Sequence, residues 1–187
     1  LAGTYTIGGT PGATNFPTLD SAITALNGCG INAPVIFNMN GGTHNAVTIG
    51  AISGSSAANT ITFNGAAGMG DSIVATSQTA AVDLDGSTYI TFNDLYMENS
   101  GGSFVVWLHN GSHDLEFDNC QLIGSRTTTT FSTGVIAASS SSTSTTGYGD
   151  NTNNLTVNNC DVVGNYYGVV INGSATTARV NGITLTN

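Results

Sequence analysis

The sequence predicts an all-β chain wound as a right-handed parallel β-helix, three short strands to a coil, with an N-terminal capping α-helix at about residues 18–28. Three observations carry this. The stretch LEFDNCQLIGS (Leu115 to Ser125) returns as LTVNNCDVVGN (Leu155 to Asn165), apolar position on apolar position and Cys120 on Cys160. Within both copies the apolar residues fall on alternate positions, as they do in strands with one buried face. The same pattern recurs along the chain at a step mostly in the twenties, which is too short for a unit to bury its own face, so neighbouring units must stack.

Residues 1–50 read as the cap and first strands. In PTLDSAITALNGCG, Leu19, Ile23 and Leu26 stand at i, i+4 and i+7, Thr18 is placed to cap the N-terminus, and Gly28 stands where a helix would stop. Burial of those three side chains contributes roughly 1.5 to 3 kcal/mol each, and the open first coil is the surface on which to bury them. Residues 51–187 hold the coils. Their repeated strand appears as TITFNG, YITFNDLYMEN, DLEFDNCQLIG, NLTVNNCDVVG and GITLTN, with anchors Phe63, Phe92, Phe117, Val157 and Leu185 lying 29, 25, 40 and 28 residues apart by subtraction. A second strand precedes each later anchor, in AVDLDGS, VVWLHNGS, GVIAAS and GVVINGS. The long step has a local cause: TTTTFSTG and SSSTSTTGYGDNTNN make a Ser/Thr-rich insertion at about 126–153. GITLTN ends on a repeat strand with nothing to blunt it. The expectation is therefore a single domain that continues beyond residue 187 or is completed by a partner, through self-association or further coils on that end.

Stacking assigns side chains to columns. Ile90, Leu115, Leu155 and Ile183 form one inward column; Phe92, Phe117, Val157 and Leu185 a second; Leu95, Cys120 and Cys160 a third. The cysteines fit a small apolar ladder, with a bond between adjacent coils as the alternative. Asn93, Asp118 and Asn158 fall at a corner, where a side-chain ladder would satisfy backbone groups.

Charge limits the partners. The chain has eleven Asp and Glu, two arginines (Arg126 and Arg179), no lysine and a net charge of −9. Nucleic acid and anionic membrane surfaces call for clustered Lys and Arg, so neither is an expected partner, and no apolar run is long enough to insert into a membrane. Low charge with abundant Gly, Ser, Thr and Asn suits an extracellular solenoid.

GTYTIGG, FPTLDSAITALNGCGI, APVIFNMNGGTHN and SAANTITFNGA together resemble the N-terminal portion of large secreted right-handed parallel β-helix proteins, of the pectate-lyase-like superfold, that bacteria export by the type IX route. The similarity covers nearly the whole chain and is most specific over residues 3–66. It implies extracellular or cell-surface placement, with further coils and a sorting domain usually following. It implies little about activity.

Lyases and hydrolases on such a fold need a base beside a carboxylate cluster, or several converging carboxylates. Arg126 and Arg179 have no motif around them, and no catalytic residue is assigned. Asp83, Asp85, His109, His113, Asp114, Glu116 and Asp118 gather on two successive coils. Among them Asp83, Asp85, Glu116 and Asp118 are the candidate ligands for calcium or another divalent ion, because hard oxygen ligands gather there, although polar decoration of turns accounts for them as well. No other cofactor is expected. His44 reads as a turn residue, and Asn110, Asn154 and Asn172 open glycosylation sequons. Two outward columns are candidate binding surfaces. Thr62, Thr91, Thr156 and Thr184 form a threonine row interrupted by Glu116, which could meet a polysaccharide or ice, although Thr is also simply a good strand residue. Trp107, Ile136 and Val170 follow Asp83 as an apolar stripe, to be covered by the insertion or by a partner. The functional expectation is a non-catalytic extracellular module, structural or adhesive, of a bacterial surface protein or filament. The alternatives are a carbohydrate-active enzyme and a glycan- or ice-binding module.

Overall fold

The computed structural model of the protein describes residues 1–148, 152–173 and 180–187. The chain enters through β1 (Gly3–Ile7) and β2 (Asn15–Phe16), forms α1 (Leu19–Cys29), and then winds. One coil is β3 (Val35–Met39), β4 (Gly42–Asn45) and β5 (Val47–Ile49); the next is β6 (Ile61–Asn64), β7 (Asp71–Ala75) and β8 (Val82–Asp85). There follow β9 (Thr88–Asn93), β10 (Leu95–Asn99) and β11 (Phe104–His109), then β12 (His113–Asp118), β13 (Gln121–Gly124) and β14 (Gly134–Ala138). The last described turns are β15 (Asn153–Asn158), β16 (Asp161–Val163), β17 (Tyr167–Ile171) and β18 (Asn181–Thr186).

Each strand pairs in parallel with its counterpart one coil away. The result is an eight-stranded sheet A (β18-β15-β12-β9-β6-β3-β1-β2) and two five-stranded sheets, B (β16-β13-β10-β7-β4) and C (β17-β14-β11-β8-β5). This is a right-handed parallel β-helix, the hand that connections between parallel strands take. The inward columns fall in register: Val35, Ile61, Ile90, Leu115, Leu155 and Ile183 in one, and Phe37, Phe63, Phe92, Phe117, Val157 and Leu185 in the other. In the second column the four phenylalanine rings stack with centroids 5.0, 5.3 and 5.2 Å apart and planes within 14°. That spacing follows the coil repeat of about 4.8 Å, so ring stacking and strand pairing reinforce each other. One apolar core runs without a break from Ile7 to Val157.

Between sheets A and B the corner sets two side-chain positions, closed tightly in the later coils and through the longer 65–70 connection after β6. The first carries a ladder: the Asn64 amide donates to Asn38 and the Asn93 amide to Asn64, both at 2.9 Å, while Asn158 donates to Asp118 at 2.7 Å. The second residue, Asp94, Asn119 or Asn159, is left-handed with φ of 55°, 51° and 49°, a conformation that Asn and Asp tolerate best after Gly. A parallel ladder runs there too, from Asn119 to Asp94 and from Asn159 to Asn119.

The helix forms as its sequence requires. Thr18 and Ser21 close a reciprocal capping box, each side chain accepting the other's backbone N–H at 3.2 Å. Leu19, Ala22, Ile23 and Leu26 are buried, and the helix packs on β4 and β5 of the first full coil. The stop lies two residues beyond Gly28. Gly30, with φ of 63°, turns the chain and donates its N–H to the Leu26 carbonyl at 3.0 Å.

The Ser/Thr-rich insertion is two loops, because β14 divides it. The second loop crosses the outside of sheet C: Thr145 is buried and hydrogen-bonds to the Ser132 and Phe131 carbonyls, and all five residues of β14 are buried.

Candidate functional site

The threonine row exists as read, in register on the outside of sheet A: Thr62, Thr91, Glu116, Thr156 and Thr184 stand on successive strands, preceded by Ile36. Glu116 accepts from the Thr91 hydroxyl at 3.5 Å. The row is thus broken by an acid at its centre and by a branched aliphatic residue, Ile36, which separates Thr62 from Thr4 of β1.

On sheet C the apolar stripe needs correcting. Trp107 pairs with Asp83 and Ala137, and Ala137 with Val170, so the outward column is Thr48, Asp83, Trp107, Ala137 and Val170. Ile136 instead pairs with Val106 and Val169 and is fully buried in the core. The one-residue difference in register sends its side chain to the opposite face. Phe104, Ala80 and Ala137 form a small second apolar cluster with Trp107 against it, and the Trp107 indole N–H donates to the Ser139 carbonyl at 2.7 Å. The insertion covers this stripe.

The acidic and histidine constellation divides between two sheets. Asp83, Asp85 and His109 lie on sheet C, whereas His113, Asp114, Glu116 and Asp118 lie on sheet A. The four candidate carboxylates for calcium therefore do not converge, and among the described residues no group of three or more His, Cys, Asp and Glu side chains could hold a metal. Their oxygens are engaged elsewhere. Asp83 contacts His109 Nε2 at 2.7 Å through one oxygen and accepts from the Thr48 hydroxyl at 3.3 Å through the other. Asp85 accepts from the Asn110 amide at 2.5 Å, and Asp118 from Asn158. The imidazole of His109 also stacks on Trp107, centroids 3.7 Å apart and planes 12° apart. Asp83 lines a small cavity of about 210 Å³ with Thr48, Gln78 and Thr79, so the Asp83–His109 pair is an acid–base contact beside a recess.

Other singled-out residues have structural partners. His44 Nε2 lies 3.1 Å from the buried Asp71, whose second oxygen accepts the Ala66 N–H at 2.7 Å. The three sequon asparagines reach across coils, Asn110 to Asp85, Asn154 to Asp114, and Asn172 to the Thr145 carbonyl. Arg126 is exposed on the first insertion loop, and Arg179 lies outside the described residues. Cys29, Cys120 and Cys160 are free thiols. The Cys120 backbone N–H points at Cys160 Sγ, 3.3 Å away, and the thiol pair together with burial pushes the Cys120 thiol up, away from reactivity.

A cavity that the sequence reading missed lies on the corner between sheets B and C. It measures about 420 Å³ and is walled by the connectors of three successive coils, 76–81, 100–103 and 125–133, with Ser142 and Thr143 of the second insertion loop. Eleven of its fourteen lining residues are Ser or Thr; the others are Gln78, Gly101 and Gly102. The signal in the sequence was positional: SQT, SGGS and SRTTTTFST recur at one point of the repeat. A second cavity, of about 350 Å³, opens on the last described coil and is lined by Val157, Cys160, Val162, Val169 and Leu185.

No protein-family model, curated protein or solved structure matches this chain.

Proposed function

We propose that this chain is a non-catalytic extracellular β-helix module, a structural and adhesive segment of a bacterial surface protein or filament of the type IX-exported kind. The observation that carries the reading is the unbroken register of three parallel sheets around one core. Polar residues on the outside are spent on bonds from coil to coil, as in the Asn38–Asn64–Asn93 ladder and the Asp83–Thr48 and Asn154–Asp114 contacts. Such a body is a stiff spacer with flat faces, and its stability is spread along the axis and not concentrated at a site.

The test is incubation with a panel of neutral and anionic polysaccharides, with and without calcium, followed by chain-length analysis. Unchanged polymers are expected. Reproducible depolymerisation abolished by Asp83→Asn or Glu116→Gln would overturn the reading. It would favour the second one, a carbohydrate-active enzyme, for which the Asp83–His109 pair beside its recess is the specific support. Negative-stain images of the native protein test the structural part of the reading: straight rods along the coil axis are expected, and compact rounded particles would contradict it.

A further inference from the structure

We propose that the corner cavity between sheets B and C is a binding site for a neutral polysaccharide lying along the axis of the β-helix. The inference rests on the non-catalytic adhesive reading, for which it names a ligand.

The lining selects by chemistry. In a chain with eleven acids and a net charge of −9, the cavity of about 420 Å³ is bordered by hydroxyls, one carboxamide and two glycines, with no ionisable side chain. A cationic ligand finds no countercharge in the lining, Arg126 stands exposed on the 125–133 connector but outside the lining, and an apolar ligand finds little beyond threonine methyls. A hydroxyl both donates and accepts, which is the complement that the hydroxyls of an uncharged sugar require.

Two exposed aromatic residues adjoin the lining residues, one along the chain and one through a backbone hydrogen bond. Phe131 lies between the lining residues Thr130 and Ser132 and is 64 % exposed; Tyr166, whose backbone N–H donates to Thr133 Oγ1 at 3.2 Å, is 53 % exposed. Exposed rings next to a polar recess supply the flat apolar surface on which the C–H face of a pyranose packs.

The walls are pre-organised. The Asn99 side chain, fully buried, donates to the Gln78 and Phe104 carbonyls at 3.0 and 2.8 Å and accepts from the Gly102 N–H at 2.8 Å. It thereby clasps the connectors of two coils. Gly102 is required there, since a Cβ would come within 1.9 Å of the Gln78 carbonyl oxygen. Asn165 clasps the next pair, donating to Gly134 and Ser103 carbonyls at 2.8 and 3.3 Å and accepting from the Ser125 N–H at 2.9 Å. Fixed walls reduce the ordering cost of binding. Three connectors at about 4.8 Å per coil span about 10 Å, room for a disaccharide unit of a linear chain running along the axis. A peptide is less well served, because extended peptides bind by pairing with a free strand edge and these walls are connectors.

The experiment is calorimetric titration of the native protein with a soluble β-glucan, a galactomannan and an arabinoxylan, alongside polygalacturonate and a neutral Ser/Gly peptide, with recovery and sizing of the bound polymer. At least one neutral polysaccharide is expected to bind and to be recovered at its original length. Thr130→Trp, which fills the groove from an exposed position, is expected to weaken binding at least about tenfold, and Phe131→Ala about fivefold, with wild-type thermal unfolding. Ser100→Trp, on the opposite wall, replaces Thr130→Trp should that variant not fold. Absence of binding by all three neutral polymers, equal binding by the filled-groove variant, or preference for polygalacturonate or the peptide would overturn the proposal. Binding with shortening of the polymer would leave the site standing and overturn the non-catalytic reading instead.

Discussion

Asp118 is where the asparagine ladder changes chemistry. Each amide in the ladder donates to the coil before it, but the Asp118 side chain accepts from Asn158 and carries no amide N–H to pass to Asn93, its register partner. Asp118→Asn keeps the acceptor and adds the donor, so urea unfolding is expected to show a gain of about 1 kcal/mol; unchanged or lower stability would mean that the ladder is not a chain of donors. Tyr96 gives a second prediction. Its phenol is pushed up to about 12, first by burial and then by its hydrogen bond of 2.6 Å to Glu98. The raised value means that its stabilising share is intact below pH 10 and lost as pH rises through about 12. Absorbance titration should show one tyrosine ionising late, and Tyr96→Phe should remove that phase; a titration unchanged by the substitution would refute it.

Helix α1 and the coil strands were legible because their signals are local and periodic. Leu19, Ile23 and Leu26 fit one helical face, and the phenylalanine anchors of sheet A fit one register. Ile136 was misplaced because β14 is apolar throughout, GVIAA, so alternation gave no way to tell its two faces apart. The carboxylates do not gather for a different reason: the corner between His109 and His113 leaves Asp83 and Asp85 on sheet C and puts Glu116 and Asp118 on sheet A. The corner cavity was hidden because connectors were read as turns one at a time, whereas the recess is made by three of them stacked. For the helix itself, Thr18→Ala removes the capping box and is expected to cost about 1 kcal/mol, and Leu26→Ala, fully buried against the first coil, about 2 to 5 kcal/mol, both by denaturant unfolding. Costs near zero for Leu26→Ala would show that the helix does not seal the core.

Along the whole molecule, apolar columns and two polar ladders at the corner are repeated from coil to coil, and every surface described above, the threonine row, the covered stripe and the hydroxyl-lined groove, exists only because the coils keep a single register. Neighbouring positions on paired parallel strands lie about 4.8 Å apart, inside the range a disulfide bridges, whereas positions two coils apart lie about 9.6 Å away, beyond it. The decisive measurement is therefore mild oxidation of double-cysteine variants in a background lacking Cys29, Cys120 and Cys160, with the cross-links mapped by mass spectrometry. Asn64→Cys with Asn93→Cys, partners on β6 and β9, is expected to cross-link within the native monomer, and Asn64→Cys with Asp118→Cys is not. Efficient bridging of the second pair, or none of the first, would contradict the stacked register from which the fold and the proposed binding surface both follow.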